Sequence, residues 1–340
     1  MTVFDFPKID LHNHLDGALR PETLYDLCDR YGIEPEVPTI EEYIALTRQR
    51  ANCGSVNEYL KMFDLPCSVM RSAEALERIT FELGEDMAGQ GVAYSEIRFA
   101  PQQHTHGGLS QKEAIEAVIR GAKRCEETYP IHLGILACMM SYGSEKINWE
   151  ANLETIDAAA SCFGKGLVGI DLAGAEGIVP LENFAALFEK AREMNLPFTC
   201  HAGDSPGPET VETAVYTFGA KRIGHGHHLY FDPGLTRKIA KLDTVLEICP
   251  TSNIQCRTEP SYEFHPAKNL LDLGVKVTIN TDNRFLADVT LDSEYELCLS
   301  RMGFEYRDLL RMNLNAINGA FCDEAVKAPI RKALESLLAD

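Results

Sequence analysis

KIDLHNH, residues 8–14, is a short β-like run that closes on two histidines two positions apart. Side chains alternate along a strand, so His12 and His14 point to one face. Neutral imidazoles set side by side suit a divalent metal ion. Chance is the competing explanation. Ten histidines in 340 residues give about 0.3 such pairs at random, yet the chain carries His12/His14, His104/His106 and His225/His227.

The same design, an apolar run with an ionisable end, recurs down the chain. It is seen in VAYSEIRFA (92–100), IHLGILACM (131–139), LVGIDLAG (167–174) and PFTCHAG (197–203), then in RIGHGH (222–227), VLEICPTS (245–252) and KVTINTD (276–282). Helix-like stretches lie between them, such as SQKEAIEAVIRGAKRCEETY (110–129), LENFAALFEKAREMN (181–195) and GLTRKIAKL (234–242). Eight strands alternating with helices predict an α/β protein, a (β/α)8 TIM barrel; a doubly wound open sheet needs fewer strands. The polar residues favour the barrel, because its strand ends converge on one mouth. His12/His14, Gln102–His106, Asp171/Glu176, His201/Asp204, His225, Ser252/Asn253 and Asp282/Asn283 all fall at carboxyl ends of the expected strands. Residues 19–91 are too long for one helix and predict extra helices at the barrel mouth.

The net charge of −19 argues against nucleic acid or an acidic membrane surface as partner. The opening MTVFDFPKID has no basic, then apolar, signal pattern, and no run is long enough to span a membrane. Eleven cysteines without a C-x-x-C pair fit reduced thiols in the cytoplasm. With no linker rich in Gly, Ser or Pro, residues 1–340 are expected to form a single domain.

Zinc hydrolases need three or four protein ligands and room for water. His12, His14, His201 and Asp282 are the candidates, drawn from the first, fifth and eighth strands. A turn or helix-cap role for Asp282 and a core role for His201 are the competing readings.

PKIDLHNHLDGALRPETL, GIDLAGAE, CHAGD, RIGHGHHL, EICPTSN and INTDN, in this order from Pro7 to about Ala320, resemble the successive signature segments of the adenosine deaminase family. The resemblance implies a (β/α)8 barrel and one zinc per chain on His12, His14, His201 and Asp282. It implies substrate contacts from His14, Asp16, the main chain of Gly174, and Asn283. His225 would orient the attacking water and take its proton, and an acid would protonate purine N1. The family acid is a Glu in HAGE, where this chain has Asp204, and the family TDD is here TDN, with Asn283. Val56, Tyr59, Leu60 and Phe63, at helical spacing in SVNEYLKMFD (55–64), would form a lid helix; an ordinary amphipathic helix on the barrel has the same pattern. His104/His106 are expected at a solvated rim, and His227 and His228 in a loop or at the surface.

The expected activity is zinc-dependent hydrolysis of adenosine, and of 2′-deoxyadenosine, to inosine compounds and ammonia in purine salvage. Free adenine or another 6-aminopurine nucleoside is the alternative substrate, and a catalytically decayed nucleoside-binding protein the non-enzyme alternative. A binuclear amidohydrolase with a bridging Lys is disfavoured, since LVGIDLAGAE has no Lys. A cytidine-type zinc deaminase is disfavoured too, because its H-x-E and P-C-x-x-C signatures do not occur.

Overall fold

The computed structural model describes residues 4–142, 145–205 and 207–339. Eight strands run β1 (Lys8–His14), β2 (Val92–Phe99), β3 (His132–Ser141), β4 (Leu167–Gly174), β5 (Thr199–Ala202), β6 (Arg222–His225), β7 (Val245–Ile248) and β8 (Lys276–Ile279). They pair in chain order and in parallel, as two four-stranded sheets, β1–β4 and β5–β8. Single bridges mark the two seams. Ile170 on β4 meets Phe198 just before β5, and Asn13 on β1 meets Asp282 just after β8. At the second seam His14 N donates to Asp282 O at 2.7 Å, and Asp282 N donates to His12 O at 2.8 Å. The circular order is that of a (β/α)8 barrel, continuous within each half and thin at the seams.

The later strands stop sooner than their apolar runs suggest. His225 (φ 62°) and Asp282 (φ 58°) adopt left-handed backbone, which no ladder can continue. Such conformations in residues other than Gly are strained and cluster at functional sites. β6 therefore ends at His225, and the chain turns at Asp282 while its main chain stays bonded to β1.

Helices cover the outside. Gln111–Thr128 starts at a reciprocal cap between Ser110 and Glu113. Residues 19–91 hold the extra helices expected, with Pro21–Tyr31, Ile40–Ala51, Val56–Leu60, Asp64–Val69 and Ala73–Gly89. The helix after β3, Glu145–Cys162, has no amphipathic stripe that periodicity could reveal. No helix among the described residues is long and apolar enough to cross a membrane.

Glu294, in helix Leu291–Arg301, ties that helix to the mouth loop after β7. Its Oε1 accepts from Thr251 N at 3.1 Å, while Oε2 is buried without a partner among the described residues. Burial pushes its carboxyl up from 4.5 to about 8. The folded chain thus holds this proton more tightly than the unfolded one, so stability is complete at low pH and is lost as pH rises towards 8. Glu294→Gln should remove that loss. Denaturant unfolding at pH 9 should find the variant more stable by roughly 2–4 kcal/mol, with the difference gone at pH 4. Equal stability of the two proteins at pH 9 would refute the assignment.

Candidate active site

The strand ends bring four histidines and a carboxylate together. β1 delivers His12 and His14, β5 delivers His201, β6 ends on His225, and Asp282 follows β8. The His12 ring centroid lies 4.6 Å from that of His201, 4.9 Å from that of His225 and 5.2 Å from that of His14. Asp282 Oδ1 is 3.5 Å from His12 Nε2 and 3.4 Å from His14 Nε2. His12 Nε2 is buried and has no hydrogen-bond partner among the described residues. A buried nitrogen left this way, beside a carboxylate and two more imidazoles, is a donor set suited to a divalent cation such as zinc.

Buried charge orients these rings from behind. His12 Nδ1 lies 3.1 Å from Glu247 Oε2, and His201 Nδ1 lies 2.9 Å from Asp171 Oδ2. Glu247 fixes a proton on His12 Nδ1 and turns its Nε2 forward, while Asp171 faces His201 Nδ1 as an ion-pair partner without an aligned hydrogen bond. Arg98 joins them, donating to Asp171 at 2.8 Å and to Glu247 at 2.6 Å. Arg222 donates to Glu247 at 2.6 Å and also pairs with Glu96. Burial alone would raise the Asp171 and Glu247 carboxyls, but His201 and Arg98 at the first, and Arg98 and Arg222 at the second, hold both below the usual range. Burial likewise lowers His12 and His14, which keeps them neutral. Asp171, expected at the mouth, is instead fully buried within β4.

Asp204 and His225 share a bridge. Asp204 Oδ1 accepts from Asn253 Nδ2 at 2.7 Å and from Thr258 Oγ1 at 3.0 Å. The same Asn253 Nδ2 lies 3.2 Å from His225 Nδ1. An amide NH2 facing a carboxylate donates, so His225 Nδ1 accepts, and the neutral ring carries its proton on Nε2. Glu176 holds the loop after β5, accepting from the backbone N of Gly203 (2.7 Å), Asp204 (3.0 Å) and Ser205 (3.1 Å). Pro206, in the same loop, lies outside the described residues. His227 is not a surface residue. It is fully buried, with Nδ1 3.8 Å from Asp204 Oδ1 and Nε2 3.6 Å from Glu259 Oε1. His106 is exposed as expected, whereas His104 is fully buried.

A cavity of about 720 Å³ opens above this cluster, a size that suits a small ligand. Its wall includes Asp16, Gly174, Asp204 and Asn283. Asn283 Oδ1 lies so close to Gly17 that a Cβ there would come within 2.1 Å of it, so only Gly fits at that turn. Val56, Tyr59, Leu60 and Phe63 also line the cavity. They come not from one helix but from Val56–Leu60 and the following 3-10 turn, Lys61–Phe63. Tyr59 packs with Met62, Cys256 and Leu286 in a small cluster apart from the main core.

A family model described as adenosine deaminase matches residues 7–337. The chain belongs to the adenosine deaminase family. Membership makes it a deaminase. It is 35% identical to an adenosine deaminase of Clostridium perfringens, over 98% of this chain and 99% of that one. An amidohydrolase of Burkholderia ambifaria, solved with bound zinc, shares the fold at TM-score 0.87 and 26% identity, over 98% of this chain and 91% of that one. The N6-methyl-AMP deaminase of Arabidopsis thaliana gives TM-score 0.82 and 27% identity, over 97% and 96%.

Sequence reasoning missed three residues that support this deaminase site from behind, namely Glu247, Arg98 and Arg222, and gave Asn253 no role. A signal was present for Glu247 and Arg98. A charged residue in the middle of an apolar strand, as in VLEI and SEIRF, has no solvent face to occupy and must find a buried partner.

Proposed function

We propose that this chain hydrolyses adenosine, and 2′-deoxyadenosine, to the corresponding inosine compounds and ammonia, with one zinc ion on His12, His14, His201 and Asp282. The observation that carries the reading is the buried cluster of imidazoles and one carboxylate at the floor of the cavity. When bound, zinc acts as a Lewis acid that makes water nucleophilic at neutral pH. His225 orients that water by donating from Nε2; it can accept a proton at Nδ1 only when Asn253 releases that atom. Asp204 gives a proton to purine N1, so that the ring loses aromaticity without building charge. Val56, Tyr59, Leu60 and Phe63 act as the lid that excludes water. A purine salvage role in the cytoplasm fits this chemistry.

Charge favours a nucleoside over a nucleotide. Asp16, Asp64 and Glu176 line the cavity apart from the proposed acid and ion ligands, against Lys61 as the single lysine there among the described residues, which Glu58 already pairs at 2.7 Å. A phosphate would face net repulsion there. Asp16 favours a nucleoside over free adenine. Its Oδ1 is buried without a hydrogen-bond partner among the described residues, and a sugar hydroxyl would supply one. Turnover should therefore fall in the order adenosine, adenine, then AMP and N6-methyl-AMP, read as ammonia for the first three and as methylamine for the last. A faster rate on either nucleotide would overturn the substrate class, and binding of adenosine with no ammonia at all would indicate a decayed binding protein.

Asn283 supplies a finer test. An amide donates through its NH2 at any pH, and the purine N7 accepts. The 7-deaza analogue should bind more weakly than adenosine by roughly 1–3 kcal/mol, because a buried donor is left unpaired. Equal inhibition constants would remove Asn283 from the N7 contact.

A further inference from the structure

A second cluster of donors sits beside the cavity, away from the four histidines. Asp16 lies in the turn Asp16–Ala18 after β1, Cys67 in helix Asp64–Val69, and His104 at the end of the turn Pro101–His104 after β2. One ligand atom from each falls within 4.8 Å of the other two. Cys67 Sγ is 3.8 Å from Asp16 Oδ2 and 3.7 Å from Gln103 Oε1, both weak contacts for a thiol. Two of the three residues carry buried polar atoms without a hydrogen-bond partner among the described residues. They are Asp16 Oδ1 and His104, whose ring nitrogens make no well-aligned hydrogen bond and have only the Met70 backbone close by. His104 is fully buried and stacks on Phe99, with ring centroids 5.8 Å apart. An imidazole is an expensive way to fill apolar space, and buried polar atoms of this kind call for a partner.

We propose that Asp16, Cys67 and His104 form a second cation site, distinct from the zinc centre, that takes a borderline-soft divalent ion such as Zn2+ or Co2+. A thiolate, an imidazole and a carboxylate with one open position are the ligand types these ions select over Mg2+ or Ca2+. Burial keeps His104 neutral, its pKa lowered to about 4, so its lone pair is available at any physiological pH. Cys67 binds by giving up its thiol proton to solvent as the ion enters. Because Asp16 and Cys67 also line the cavity, an ion here removes the carboxylate from the nucleoside and occupies the sugar end. The site would make the enzyme sensitive to excess zinc. Ion binding itself is independent of the proposed activity; only the inhibition rests on it.

The thiol gives a selective probe, since the four residues assigned to the first ion include no cysteine. Co2+ added to the zinc-loaded chain should produce a thiolate-to-cobalt charge-transfer band that saturates at one further equivalent. Cys67→Ser should abolish the band. His104→Gln should weaken Co2+ binding at least about tenfold, since losing a ligand costs no less than losing a residue that merely orients one. Excess Zn2+ should inhibit deamination competitively with adenosine, and Cys67→Ser should relieve this relative to its own uninhibited rate. If His104→Gln does not fold, Cys67→Ser alone decides. Absence of the band in the parent chain, or its persistence in Cys67→Ser, would overturn the site. A saturating band without inhibition would overturn its link to the nucleoside pocket, and a chain with the band but no deaminase activity would count against the proposed function only.

Discussion

Asp282→Ala is expected to leave the protein without tightly bound zinc and to lower deamination by at least about 10³-fold, because one of four ligands and the means of activating water go together. His14→Ala should do the same. Asp282 needs a companion variant, since its φ of 58° suits Asp or Asn better than Ala. Its main chain also holds a seam of the barrel through His12 and His14. Asp282→Asn keeps the backbone preference and removes only the charge. It should fold like the parent and still lose the ion. Metal analysis and ammonia release on the same preparations would test this, and full activity after exhaustive chelation would eliminate the mechanism.

Glu247→Gln separates holding the ion from orienting its ligands. The residue does not face the cavity; it anchors His12 Nδ1 and compensates Arg98 and Arg222. Its loss should weaken zinc binding about 10–100-fold, the usual worth of a group that fixes a ligating imidazole. Unlike Asp282→Asn it should also destabilise the fold, by roughly 3–5 kcal/mol, because two buried guanidinium groups lose a counter-charge.

These two classes of residue differ in how far the sequence discloses them. His12, His14, His201 and Asp282 sit at ends of apolar runs, where a local pattern already marks them as out of place. The eight strands are legible for the same reason, since each apolar run is bounded by the polar end that faces the mouth. Glu247 and Arg98 stand 149 positions apart, and nothing local to either says that they meet across the barrel interior. The early end of β6 and the turn of the chain after β8 depend on left-handed backbone at His225 and Asp282, which the apolar runs before them do not foretell. His227 looks like one more loop histidine in GHGHH until the turn Gly226 makes, at φ 73°, carries it under Asp204. Resemblance implied the family, the proposed ligand set and the departures at Asp204 and Asn283, but not how the chain accommodates Asp204, which only the contacts around it disclose.

Asp204→Ala is expected to reduce turnover by about 10²–10⁴, the usual worth of a positioned acid, while zinc stays bound. Asp is one methylene shorter than the Glu it replaces, a shortfall of about 1.5 Å. If Asp204 is the acid, its neighbours offer a way for the chain to adapt to the shorter side chain. Three backbone amides of its loop are tied to Glu176, so the main chain is fixed from one side. Asn253 and Thr258 both bind Oδ1 from the other, which leaves Oδ2 outside these bonds and able to carry the proton towards N1. Asp204→Glu should then not rescue or raise turnover. The longer side chain must either push Asn253 away or bend back into the cavity, and Asn253 is also what fixes the tautomer of His225. Asn253→Ala should accordingly lower turnover more than it raises KM, since it touches the acid and the water-orienting imidazole but not the sugar. A large gain in turnover from Asp204→Glu would mean that the site has decayed from the family's acid. Near-normal turnover in Asp204→Ala would mean that N1 takes its proton from another group, with the buried pair His227 and Glu259, 3.6 Å apart behind Asp204, the next place to look.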